Sequence, residues 1–169
     1  RLGCFGAWAG AGILLCRPPM NTELSGKVVL VTGASGGIGS AIARAFVAEG
    51  ARVILHYRRG AGAARRLAGE LGSGCVALGA DLTSEAQVRR LFAGALARFG
   101  RVDTLVANAG AWETRDIPLH RMTLAQWRRT LDGVLTTTFL SAREFLRVVE
   151  RQRRGNVILI SSTAGVFGE

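Results

Sequence analysis

Residues 27–50 read KVVLVTGASGGIGSAIARAFVAEG, and the fold follows from them. The run KVVLVT is short, β-branched and apolar, and Gly33 closes it, as expected of a buried strand. From Gly39 onward apolar residues recur at helical spacing until Gly50 stops the helix. Between the two, Gly33, Gly37 and Gly39 have the spacing Gly-x-x-x-Gly-x-Gly, and Gly36 adds clearance. A backbone without Cβ turns sharply at a strand end and comes close to a pyrophosphate. The N–H groups and positive dipole end of the following helix attract such an anion. A turn that merely needs glycine would look alike, but the strand–loop–helix context favours the anion site.

The same alternation continues along the chain. ARVILHY (51–57), GCVALGAD (74–81), VDTLVANAG (102–110) and GNVILISS (155–162) have the pattern of four more strands. Helical periodicity occupies 62–71, 83–100, 123–131 and 136–152, with Thr83 or Ser84 able to cap the second of these and Gly100 to close it. Strands apolar on both faces, 157–160 among them, imply a parallel sheet buried between helices. Right-handed crossovers then give an α/β, Rossmann-like doubly wound sheet of strand order 3-2-1-4-5.

At 169 residues the chain is long enough for one domain. Its 49% hydrophobic and 20% charged residues exclude disorder as the default. The net charge of +10 comes from 21 Arg and the single Lys27, spread over helix faces. A nucleic-acid binder would cluster such charge beside aromatic platforms, so no nucleic-acid partner is expected. Cys4, Cys16 and Cys75 show neither CxxC nor Cys/His spacing, and His56 and His120 are isolated. A reducing compartment follows, with no structural metal and no disulfide framework.

Residues 1–19, RLGCFGAWAGAGILLCRPP, differ in character. The apolar run is too short to span a bilayer, and its outline is that of a secretory signal. Leu14-Leu15-Cys16 has the look of a lipoprotein cleavage site, which the bulky Leu15 fits poorly. Alternatively Met20 is the true start, and MNTELSGKVVLVTG is an ordinary cytosolic amino terminus preceded by upstream sequence. The second reading is preferred, because a nucleotide-dependent domain belongs with its cofactor. It makes residues 20–169 the nucleotide-binding domain, cytoplasmic and without membrane association.

Taken in order and on their elements, three motifs resemble the short-chain dehydrogenase/reductase family over residues 24–168. They are the glycine loop, Asn108-Ala109-Gly110 after the fourth strand, and Ile160-Ser161-Ser162 after the fifth. The resemblance implies an NAD(P) cofactor held by Gly33, Ser35, Gly37, Ile38 and Gly39, and flanked by Asn108, Ala109 and Gly110. It assigns Asp81, followed by Leu82, to the adenine ring, although Asp81 at a strand end could equally form a helix-capping turn. NAD binders usually present a carboxylate at the end of the second strand, where this chain has Tyr57, then Arg58 and Arg59. An arginine pairs with the 2′-phosphate of NADP through two parallel bonds, and no acid follows in sequence until Glu70. NADP(H) is therefore preferred over NAD(H), with Arg58 the leading phosphate ligand. The Arg or Lys that many relatives carry at the position of Gly36 is absent here.

Members of the family reduce a carbonyl or oxidise an alcohol. A Ser holds the substrate oxygen, a Tyr passes the proton and a Lys lowers the Tyr pKa. Ser162 matches that serine, with Ser161 one residue early as runner-up. The expected Tyr-x-x-x-Lys pair would lie beyond Ser162, whereas the one tyrosine is Tyr57 and the one lysine Lys27. The expectation is an amino-terminal fragment, itself inactive, whose missing carboxyl-terminal strands complete an enzyme for a small carbonyl or alcohol substrate, homo-oligomeric at full length. Val134 stands where family members usually carry Asn, and the nearby Thr136, Thr137 and Thr138 more often bond back to their own helix. Trp112 could line the pocket or sit exposed in its loop. The alternative is a non-catalytic dinucleotide-binding or regulatory module, favoured by Val134 and the missing pair.

Overall fold

The computed structural model describes residues 22–111 and 117–163. The leader 1–19, the proposed start Met20 and Trp112 lie outside the described residues. The elements run β1 (Val28–Val31), α1 (Gly37–Ala48), β2 (Arg52–Tyr57), α2 (Ala61–Leu71), β3 (Cys75–Gly79), α3 (Glu85–Phe99) and β4 (Thr104–Ala107). A 3₁₀ turn, Leu119–Arg121, precedes α4 (Leu124–Leu131), which passes through a π-helical segment, Asp132–Thr136, into α5 (Thr137–Gln152) and then β5 (Asn156–Leu159). The strands form one parallel sheet in the order β3-β2-β1-β4-β5, as the alternation in the sequence requires.

The period of two along each strand divides the core between the faces. Val28, Leu30, Ile54 and Leu105 pack against Phe92 of α3 and Phe145 of α5, whose ring centroids are 6.5 Å apart. Val29, Val31, Val53, Leu55 and Val106 face the other way, onto Ala43 of α1 and Leu67 of α2. Each large side chain buried this way stabilises the fold by about 1.5–3 kcal/mol.

Two details depart from the sequence reading. The segment 157–160 is not buried: Val157 and Leu159 are 39% and 58% exposed. β5 lies at the sheet edge, and its main packing partner among the described residues is β4, so its apolar character is not matched by cover. Ser84 holds the position before α3, but its side chain caps nothing. The turn ahead of the helix is instead closed by Asp81 and Thr83, as described below.

The amino-terminal edge of the sheet is fastened by a residue the sequence did not mark. Asp103 is buried, and its Oδ2 accepts the Val28 N–H at 2.9 Å. Its backbone N–H donates to Val28 O at 2.7 Å, and its carbonyl accepts from Asn156 N at 2.9 Å. The Arg101 guanidinium pairs with Oδ1. One aspartate thus joins β1, β4 and β5 at the end opposite the glycine loop.

Candidate functional site

The chain leaves β1 through Thr32, which is 1% exposed. Its hydroxyl donates to Val106 O at 3.2 Å and accepts the N–H groups of Asn108 and Ala109, each at 2.9 Å. The Asn108 side-chain amide returns a bond to Thr32 O at 2.9 Å. Thr32 therefore locks the segment after β4 against the turn after β1. Nothing in the strand-like run KVVLVT singled it out.

Gly33 follows with φ +66, in the left-handed region, and a Cβ there would stand 3.0 Å from Ala109 Cα. At Gly39, within the first turn of α1, a Cβ would lie 2.4 Å from Gly33 O and 2.8 Å from Asn108 Nδ2. The third glycine thus serves close packing of α1 on the turn. Gly37 is different: its added Cβ would meet nothing within 4 Å. Gly36, Gly37 and Ile38 are exposed, and α1 begins with no side-chain cap and no acidic residue in its first turn. That is open ground before a positive helix end, where an anion is favourable.

His56, isolated in sequence, is not isolated in space. It is 2% exposed on β2, its Nδ1 accepts the Gly33 N–H at 3.1 Å, and its Nε2 donates to Ala80 O at 3.0 Å. The pairing fixes the neutral tautomer, since a backbone N–H can face only an unprotonated nitrogen. Burial pushes the imidazole below its ordinary pKa of 6.5, with Arg58 adding to the shift. The clue available in the sequence was a polar residue at a core-facing strand position.

Beyond Tyr57 the exposed Arg58 and Arg59 lead to Gly60, where a Cβ would come within 2.7 Å of Ser35 Oγ. The arginine turn therefore abuts the glycine loop. Tyr57 itself packs over Gly79 of β3. Asp81 forms the turn that leads to α3: its Oδ1 accepts from Thr83 N at 3.0 Å and from Thr83 Oγ1 at 2.8 Å. Those two bonds hold its carboxyl below the usual carboxylate range, and Arg58 and Arg59 reinforce the effect. Asp81, just after β3, thus comes within electrostatic reach of Arg58 and Arg59, while Glu70, the next acid in sequence, pairs with Arg44. Leu82 is buried in the core beneath.

Ser161 and Ser162 are exposed past the end of β5, which pairs with β4 as far as Ala107 and Leu159 and then through Ile160 N to Ala107 O. They share one sheet edge with Asn108, Ala109 and Gly110. All the site residues expected from the sequence therefore gather at the carboxyl ends of the five strands, the crevice side of a doubly wound sheet.

The family profile described as short chain dehydrogenase matches residues 27–169. The chain belongs to that family. It is similar to a 3-oxoacyl-[acyl-carrier-protein] reductase of Synechocystis sp., with 38% identity over 150 residues, which are 87% of this chain and 60% of that protein. It is also similar to nodulation protein G of a Rhizobium sp., with 43% identity over 146 residues, 86% of this chain and 58% of that protein. The chain thus spans about three fifths of the length of these relatives. Within this short-chain dehydrogenase sequence, Val134 lies in the π-helical segment, half-exposed, and its carbonyl accepts the hydroxyls of Thr137 at 3.1 Å and Thr138 at 2.7 Å. The helical threonines do bond back, except that Thr136 Oγ1 donates to Asp132 Oδ1.

Proposed function

We propose that this chain is the nucleotide-holding domain, residues 20–169, of an NADP(H)-dependent oxidoreductase that moves hydride between the nicotinamide and a small carbonyl or alcohol substrate. The observation that carries the proposal is the meeting of the open glycine turn, the arginine pair, Asp81 and the Asn108–Gly110 segment on one sheet edge. The residues fit a dinucleotide. Open space at Gly37 and the uncapped start of α1 suit a pyrophosphate, and exposed arginines beside Ser35 suit a 2′-phosphate.

Bound there, the cofactor supplies the hydride. In this reading the first amides of α1 hold the pyrophosphate, flanked by Ser35 and Ile38. Arg58, seconded by Arg59 and bordered by Tyr57, holds the phosphate on the ribose. Asp81 stays ionised and would accept from the adenine amino group, with Leu82 buried behind it in the core. Asn108 and Ala109, clamped by Thr32, wall the crevice toward Ser162, whose hydroxyl orients the substrate oxygen. Hydride delivery to a carbonyl also needs a proton at that oxygen. Tyr57 and Lys27, the one tyrosine and the one lysine, lie at β2 and before β1, so this chain by itself turns over no substrate.

The reading places the protein with the cytoplasmic nucleotide pool. The exposed Trp127, Leu131, Leu135, Phe139 and Leu146 along α4 and α5 form the face through which it self-associates. Among the described residues no helix is long and apolar enough to cross a membrane. A second reading, a dinucleotide-binding module without catalysis, is favoured by Val134, which cannot orient water through its side chain.

Arg58→Asp tests the cofactor assignment. A charged, bidentate contact contributes about 1.5–3 kcal/mol, so the variant should lose roughly tenfold to a hundredfold in NADP⁺ affinity. NAD⁺ affinity should hold or rise. Calorimetric titration with both nucleotides measures the ratio, and an unchanged ratio refutes Arg58 as the phosphate ligand.

A further inference from the structure

We infer that His56 is a proton-sensitive positioning residue for nucleotide binding: the neutral ring ties the glycine turn to the end of β3, and protonation releases the turn. The inference rests on the dinucleotide reading above and adds a regulation of that site. His56 lies beneath three segments that the adenosine half would touch. It belongs to β2, immediately before Tyr57 and Arg58, and it bonds Gly33 N at 3.1 Å and Ala80 O at 3.0 Å. Ala34 N also reaches His56 O at 2.9 Å, so both backbone and ring hold the turn. A second proton would go to Nδ1, the nitrogen that faces the Gly33 N–H. Two donors would then oppose each other in a buried place, where an unsatisfied group is costly.

The charged groups around the ring are few. Asp81, after β3, favours the imidazolium, and Arg58, two residues beyond the ring and past the end of β2, opposes it. Asp81 does not itself change charge near neutrality, because the Thr83 bonds hold it ionised. Burial is the largest influence on the ring and keeps it neutral at physiological pH. The release therefore belongs to the acid side, below the ordinary histidine range. Stability follows the same course. Above pH 6.5 the contribution of His56 is complete, and it falls as the pH drops from there toward the lowered pKa, because the unfolded chain binds the proton first.

The test is calorimetric titration of the full 169-residue chain with NAD⁺ from about pH 8 down to about pH 5. NAD⁺ is the appropriate probe because it lacks the 2′-phosphate, which titrates near pH 6 on its own. The expected result is constant affinity at the alkaline end and a fall that steepens toward the acid end, with about tenfold per pH unit as the limit for one proton. His56→Asn, whose amide oxygen still offers an acceptor to Gly33, should remove that fall, and His120→Gln at the exposed second histidine should leave it in place. Nitrogen NMR of the wild-type imidazole gives a check that needs no variant: Nε2 should carry the proton at about pH 8, and the opposite tautomer overturns the inference. Affinity for NAD⁺ that is measurable but flat with pH also overturns it and leaves the dinucleotide reading standing. Absence of binding by NAD⁺ and NADP⁺ at every pH overturns both.

Discussion

Gly39→Ala is expected to abolish dinucleotide binding and to lower stability, while Gly37→Ala weakens binding and leaves stability nearly unchanged. The contrast follows from what each new methyl group meets. At position 39 it would overlap Gly33 O at 2.4 Å and Ala34 Cα at 2.9 Å, backbone atoms that cannot swing aside. Relief requires α1 to move off the turn, at a cost of about 1–3 kcal/mol, and the helix start then no longer points at the anion site. At position 37 the methyl group projects into open space, and at this first residue of α1 the interior preference of alanine over glycine, about 1 kcal/mol, is largely absent. Its effect is confined to the ground where the pyrophosphate is placed. Thermal denaturation and NADP⁺ titration of both variants separate the two roles. Wild-type stability in Gly39→Ala would show that the turn is looser than its packing indicates.

The second large effect lies at the opposite end of the sheet. Asp103→Ala leaves the buried Val28 N–H without its partner and Arg101 without its counter-charge. The expected loss is about 3 kcal/mol, read from the denaturation midpoint at unchanged m-value. Asp103→Asn keeps an acceptor for Val28 and should lose less. Both variants, once folded, should bind NADP⁺ as the parent does, because Asp103 fastens the amino-terminal edge of β1 and the candidate site occupies the carboxyl edge. A change below about 1 kcal/mol for Asp103→Ala would mean that the backbone bonds of the strands suffice there.

The order of the strands was legible because hydrophobic period and glycine punctuation report local structure, and right-handed crossovers leave little freedom once five strands alternate with helices. The glycine loop and the arginines at the end of β2 were legible for the same reason: each sits within one turn of a recognisable element. Thr32 and His56 were not. Their partners, Asn108 and Ala109 for one and Gly33 and Ala80 for the other, are more than twenty residues away. Such pairings exist only after the sheet has formed, and a lone polar residue in an apolar strand gives no hint of which neighbour satisfies it. Asp81 shows the intermediate case. Its turn with Thr83 is local and could be anticipated, whereas its closeness to Arg58 and Arg59 depends on the parallel pairing of β2 with β3. The exposure of β5 was missed because an apolar run reports what a strand prefers, and the cover it receives is set by other parts of the molecule.

The most direct measurement of the central claim is an amide NMR titration of the 169-residue chain with NADP⁺. Resonances of Gly33, Gly36, Gly37 and Gly39 should shift together with those of Arg58, Asp81 and Asn108, in one saturable process, and NAD⁺ should produce the same pattern at higher concentration. No shift at saturating nucleotide, or shifts confined to the groove between α3 and α5 around Phe92, Leu96 and Val148, would contradict it.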